Sequence, residues 1–209
     1  MDGSAPPGRH MAMPLCPTGL AEADHLVSTN AFALLVAMQL DQQITIEWAF
    51  RGPYTQAQRL GDLSPQVVAE LSVDEFVSIA CVKPTIHRFP AVMARRIHEL
   101  AVVLHHRNEP TETLWLTAKS GIALYHSLGA LPGFADEKIR ITIAVLGKQF
   151  NVRPRGWRQA AGVFSDRQPR TVADVDSPEA LVAVKAWKAN QRAAGLSKDD
   201  RPQRPKLAV

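Results

Sequence analysis

The chain reads as an all-α protein on three observations. Apolar residues recur at spacings of three and four, as in Met93, Ile97, Leu100, Ala101 and Leu104. Helix starts are written out as Ser72-Val73-Asp74-Glu75, a capping box, and as Ser177-Pro178-Glu179, a cap with proline in the first turn. No alternating run is long enough for a strand, and no stretch repeats. Roughly nine or ten helices are expected.

In chain order, residues 1–19 come first and are expected to be disordered. Pro6, Pro7, Pro14 and Pro17 oppose helix and strand alike. Asn30 to Gln43 reads as a buried helix, because Phe32, Leu34, Leu35, Val36, Met38 and Leu40 leave almost no polar face. Ser28 or Thr29 is placed to cap it. It ends in a polar cluster, Asp41-Gln42-Gln43-Ile44-Thr45. A further turn of helix through Glu47, Trp48, Ala49 and Phe50 is expected to stop at Gly52-Pro53. Ser64-Pro65 and Ser72 each open a short helix, and Lys83-Pro84 and Phe89-Pro90 bracket a loop. Ala91 to His106 forms an amphipathic helix, and Thr111 to Ala118 a shorter one.

Ser120 caps a helix that ends near Leu128. The turn Leu131-Pro132-Gly133-Phe134-Ala135 follows, where Pro132 blocks continuation and Gly133 permits a positive φ. Asp136 is expected to cap a second helix toward Phe150, with Glu137 at its positive end. The exposed amides of such a hairpin can hold an anion. Lys138, Arg140, Lys148, Arg153, Arg155 and Arg158 follow, and no acid intervenes after Glu137. Gly156 to Val163 makes a short helix anchored by Trp157, and Thr171 to Asp176 a loop. The last helix, from Ser177, carries Leu181, Val182, Val184 and Trp187 on its apolar face. Residues 193–209 form a basic tail expected to be disordered, with nonspecific DNA contacts open to it.

The formal net charge is +4 over 209 residues, and the sequence pI of about 9.3 favours acidic partners. Cys16 and Cys81 alone exclude a disulfide scaffold and a four-cysteine metal or iron–sulfur site within one chain. No run approaches the ~20 apolar residues of a membrane span, and the N-terminus lacks a signal-like apolar core. A cytoplasmic, nucleoid-associated monomer is expected. The histidines give no metal pattern: there is no HExxH, His105 and His106 are adjacent, and His87, His98 and His126 are scattered. With no Walker loop or dinucleotide fingerprint either, neither metal nor cofactor is expected.

Two motifs carry a family resemblance over about residues 30–157. Leu131-Pro132-Gly133-Phe134-Ala135-Asp136-Glu137-Lys138 resembles the helix-hairpin-helix of the HhH-GPD superfamily of base-excision DNA glycosylases, which typically reads LPGxGxxKA. It departs at Ala135, where a second glycine is usual. Asp41-Gln42-Gln43-Ile44-Thr45 resembles the SQQVS or SAQAT pattern that ends a leucine-rich helix in many of these enzymes, with Asp41 in place of the small first residue. The overall pattern is similar to a small actinobacterial-type branch of the superfamily. The resemblance implies a two-lobed helical fold within residues 20–192. Residues 30–150 would form a helical barrel with the hairpin at 121–150. The N-terminal segment and residues 151–192 would form a second lobe, with a cleft between the two.

The resemblance also implies double-stranded DNA as partner and a monofunctional glycosylase activity. Hairpin residues Leu131, Pro132, Gly133, Phe134 and Ala135 would grip a phosphate, with Lys138, Arg140, Arg153 and Arg155 supporting the backbone. Gln43, with Gln42 beside it, would probe the gap left by a flipped base, a task that suits an amide carrying both donors and acceptor. Trp48 is the candidate base-stacking residue of the pocket. The family's lyase lysine aligns with Glu137. Lys138 is one residue and about 100° further round the helix, so it reads as a phosphate contact and no lyase activity is expected. The family's catalytic aspartate falls within Asn151 to Trp157, which holds no acid. Either another acid substitutes, with Asp41 and Glu47 the best candidates and Asp166 a weaker one, or the protein binds DNA without this chemistry.

Overall fold

The computed structural model describes residues 15–201. Among them the chain forms eleven α-helices: α1 (Ala21–Thr29), α2 (Ala31–Leu40), α3 (Ile46–Leu60), α4 (Pro65–Glu70), α5 (Val73–Ala80), α6 (Pro90–His106), α7 (Thr113–Leu116), α8 (Gly121–Gly129), α9 (Asp136–Gln149), α10 (Trp157–Ala161) and α11 (Pro178–Ala193). Two 3₁₀ turns, Gly162–Ser165 and Val172–Asp174, separate the last two. The all-α class is as the sequence predicts. No helix among the described residues is long and apolar enough to cross a membrane.

Caps explain most helix starts. Ser64, Ser120 and Ser177 each accept from a first-turn amide, and Ser72 with Glu75 forms the full capping box. The buried helix starts later than expected because Asn30, and neither Ser28 nor Thr29, is its cap. The Asn30 side chain accepts from the Ala33 amide at 2.9 Å and donates to the Leu63 carbonyl at 2.9 Å. Helix α1 was not anticipated; it has no side-chain cap and buries only Ala23 and Val27. Helix α3 does not stop at Gly52-Pro53 but runs through both. Tertiary packing overrides the proline there. Gly52 lies so close to α2 that an added Cβ would sit 2.3 Å from Leu40 Cδ1, and Pro53 is buried beside it.

The buried apolar side chains form one cluster, from Leu15 through Phe32, Phe50 and Phe76 to Phe164 and Val184. Within it α2 packs along α3 with α1 across both, and α4 and α5 pack on α6. A second group centres on α9, which packs against α8, α10 and both 3₁₀ turns. Helix α2 touches both α6 and α9, so it lies where the groups meet. The end of α9 is bonded to later residues: Gln149 Nε2 donates to Ala173 O at 2.8 Å, and Lys148 pairs with Asp174 at 2.5 Å.

Residues 15–19 and 194–201 are more ordered than their composition predicts. Leu15 is fully buried, the Thr18 carbonyl accepts from Arg51 at 3.0 Å, and the Cys16 amide reaches Val175 O at 3.5 Å. Residues 194–201 turn back along α11. Leu196 N donates to Gln191 O at 2.8 Å, Asp200 pairs with the buried Arg170 at 2.8 Å, and Lys198 pairs with Glu137 at 2.9 Å. Ion pairs and backbone bonds thus offset the low apolar content of this stretch. The rest of the expected disorder, residues 1–14 and 202–209, lies outside the described residues.

Candidate functional site

The link between α2 and α3 departs from regular backbone at both Asp41 and Gln43. Asp41 ends α2 with φ −70° and ψ 68°. The Gln42 carbonyl is held by His87 Nε2 at 2.9 Å. His87 Nδ1 accepts from the Phe89 amide at 3.0 Å, so the ring carries its proton on Nε2. The Gln42 side chain turns inward, donating to Gln39 O at 2.9 Å and to Met93 Sδ at 3.4 Å. Gln43 has φ +57° and its side chain is exposed. Thr45 then caps α3 by accepting from Trp48 N at 3.3 Å. The result is a tight loop whose tip presents Asp41 and Gln43 to the side facing α11.

Two cavities meet there. One, of about 300 Å³, is walled by Asp41, Gln42 and Gln43 on one side and by Trp187, Lys188 and Gln191 of α11 on the other, with Ser197 and Lys198 closing an end. The other, of about 620 Å³, contains Glu47, Lys185, Lys188 and Arg192. Gln43, Ile44, Lys188 and Arg192 line both. Glu47 forms an ion pair with Lys185. Burial raises its proton affinity, but the Lys185 hydrogen bond and the charges of Lys185 and Arg51 outweigh that, so its carboxyl sits below the usual glutamate range. Its second oxygen, Oε2, is buried with no hydrogen-bond partner.

The hairpin adjoins this region through Gln39. Leu131 and Phe134 are buried, whereas Gly133 and Ala135 are exposed. Gly133 has φ +77°, and a Cβ there would stand 2.6 Å from Gln39 Nε2. That buried amide donates to Pro132 O at 3.1 Å and to Arg96 O at 3.3 Å, fastening the bend to α2 and α6. Helix α9 is capped by Ala135, not Asp136, and Ala135 offers no side-chain acceptor. Asp136 instead accepts from Tyr125 Oη at 2.6 Å and Arg140 Nε at 2.8 Å. No side chain therefore caps the first-turn amides of α9, which open beside Gly133 and Ala135.

Lys138 does not point out from the bend. Its ammonium donates to Gln39 O at 2.9 Å. Burial depresses its pKa from 10.5 to about 8, against an opposing pull from Asp41 and with further depression from Lys198 and Arg96. Burial also depresses Lys188, again opposed by Asp41. Asp41 thus acts on two amines from different helices.

The remaining predicted residues are dispersed. Arg140 and Arg155 line a separate cavity of about 490 Å³ with Tyr125 and Gln159. Arg153 donates to Gly147 O at 2.8 Å and borders a fourth cavity that also holds Asp166, Asp174 and Asp176. Lys148 is taken up by Asp174 and by Asp166 O. Trp48 is 37% exposed, and its Nε1 donates to Thr85 O at 2.8 Å; it lines neither cavity beside Gln43. Trp187 does, with the Arg170 guanidinium 4.9 Å from its ring. Sequence reasoning placed Trp187 on a plain apolar face and passed over Lys188, Gln191 and Arg192. The signal was present: Lys185, Lys188 and Arg192 follow one another at spacings of three and four, which puts them on one helical face. No family model matches this chain, and neither a curated protein nor a solved structure does.

Proposed function

We propose that this protein binds double-stranded DNA and acts as a monofunctional DNA glycosylase that extrudes and excises a damaged base. One observation carries the reading: a carboxylate, Asp41, and an exposed glutamine in a left-handed conformation, Gln43, share a cavity wall beside a bend with uncapped helix amides. Gln43 probes the duplex. Asp41 supplies the acid that stabilises the cationic sugar or activates water, the role that the Asn151–Trp157 loop cannot fill. Two amines flank Asp41, which offsets repulsion between that carboxylate and nearby phosphates. The open amides at Ala135 to Lys138 take one phosphate. Trp187 replaces Trp48 as the stacking residue of the pocket.

The test is incubation with a panel of duplexes carrying single damaged bases, followed by alkali to reveal abasic sites. Asp41→Asn is expected to lower single-turnover excision by about 10²–10⁴ and to leave duplex binding intact. Equal excision by wild type and Asp41→Asn would remove Asp41 from the chemistry. A second reading, a noncatalytic protein that recognises DNA damage or structure, is favoured by Arg153. It lies in the acid-free segment Asn151–Trp157, where the family's aspartate is expected, and its guanidinium is bonded to the Gly147 carbonyl. Salt-dependent duplex binding with no excision on any duplex of the panel selects that reading.

A further inference from the structure

Helix α11 turns Lys185, Lys188 and Arg192 toward the Asp41–Glu47 segment, and their situations differ. Lys185 is taken by Glu47. Lys188 and Arg192 line both cavities, and their side chains have no hydrogen-bond or ion-pair partner among the described residues. Lys198 at the end of the smaller cavity is taken by Glu137. Asp41, the carboxylate in the smaller cavity, acts on both Lys138 and Lys188 and forms an ion pair with neither. The walls are therefore short of negative charge where Lys188 and Arg192 stand. A half-buried ammonium without a bonded anion is destabilising, and a bound anion relieves it.

Gln43, at the partition between the cavities, has amide hydrogens free to donate to such an anion. On the other side, Gln191 Oε1 is buried and unpartnered, an acceptor with no donor. An oxygen of that kind cannot serve a phosphate oxygen, but it can take an N–H or O–H from the group the phosphate carries. Trp187 adds a ring face beside it.

We propose that the junction of the two cavities, between Lys188 and Arg192 of α11 and Gln43 of the α2–α3 loop, is a phosphate site for a nucleotide unit whose base lies toward Gln191 and Trp187. The phosphate chemistry is shared by a strand and by a free mononucleotide. The inference rests on the DNA reading only for which of the two supplies it. The site is separate from the anion position at the α9 amides.

The full-length chain is titrated calorimetrically at low ionic strength with inorganic phosphate, a deoxynucleoside monophosphate and a duplex oligonucleotide. The same titrations are run on Lys188→Gln, Arg192→Gln and Lys188→Arg. The mononucleotide is expected to bind more tightly than inorganic phosphate. Each glutamine variant is expected to weaken binding about tenfold and to reduce the duplex salt slope by about one; Lys188→Arg restores most of it. Circular dichroism checks folding, and if Lys188→Gln unfolds, Arg192→Gln and Lys188→Arg decide. Mononucleotide binding without duplex binding upholds the site and removes the DNA reading. Duplex binding with unaltered affinity and slope in the glutamine variants, and no response to the small phosphates, overturns the site and leaves the DNA reading standing. Silence to all three probes overturns both.

Discussion

Gln43 holds a backbone conformation that costs a glutamine about 1–2 kcal/mol. The other non-glycine residues with positive φ among those described are Asn108, Asn151 and Asp200, all types that tolerate the left-handed region. A glutamine kept there against local preference points to work done by its longer side chain. Gln43→Asn is expected to raise unfolding free energy by up to about 1 kcal/mol and, on the proposed glycosylase reading, to abolish base recognition, since the amide is one methylene shorter. Thermal denaturation and the excision assay read the two effects separately. Full activity in a stabilised Gln43→Asn protein would make the strain incidental. The residue types at this loop were legible from sequence; the conformation was not, because nothing in Asp41-Gln42-Gln43 announces a left-handed turn. It is imposed by His87 on the Gln42 carbonyl, 45 positions away in the chain.

Among the elements, the bend between α8 and α9 separates structural from binding roles. Gly133 is required by its positive φ and by Gln39 Nε2 beneath it, so Gly133→Ala is expected to cost about 2–4 kcal/mol through strain and lost hydrogen bonds, whether or not DNA is present. Ala135 is exposed at an uncapped helix start. Ala135→Asp is expected to stabilise the protein by about 1 kcal/mol as a new cap, and to weaken duplex binding at least about tenfold by occupying the open amides with negative charge. Opposite signs in denaturation and binding identify the bend as an anion seat; parallel signs reduce it to a connection between helices. The bend was legible because Pro132 and Gly133 dictate it locally. Helix α11 as a cavity wall was not, because only folding brings Lys188 opposite Asp41, 147 positions earlier, and its exposed basic face reads like any solvated one. Helix α3 escaped for a related reason: Pro53 speaks locally for a stop, and packing on Leu40 decides otherwise.

For the molecule as a whole, Lys138 makes stability depend on pH. Its pKa is about 8 in the fold against an ordinary 10.5. Between those values the unfolded chain binds more protons than the folded one, so Lys138 makes stability rise with pH across that window. Below pH 8 the full penalty of its buried charge is present. Lys138→Met is accordingly expected to be more stable than wild type at pH 7, by about 1–3 kcal/mol, with the difference shrinking as pH climbs toward 10.5. Urea denaturation of both proteins at pH 7, 9 and 10.5 checks this, and a gap that is constant across the series contradicts it.

Gln39 has a consequence for motion. Its side chain grips the Pro132 and Arg96 carbonyls while its own carbonyl receives both Lys138 and Gln42. It works as a tie rod. The two surface features on either side of it, the bend and the loop tip, are bonded to this one residue, so a ligand seated at either is expected to slow amide exchange at the other with the helices between them unmoved.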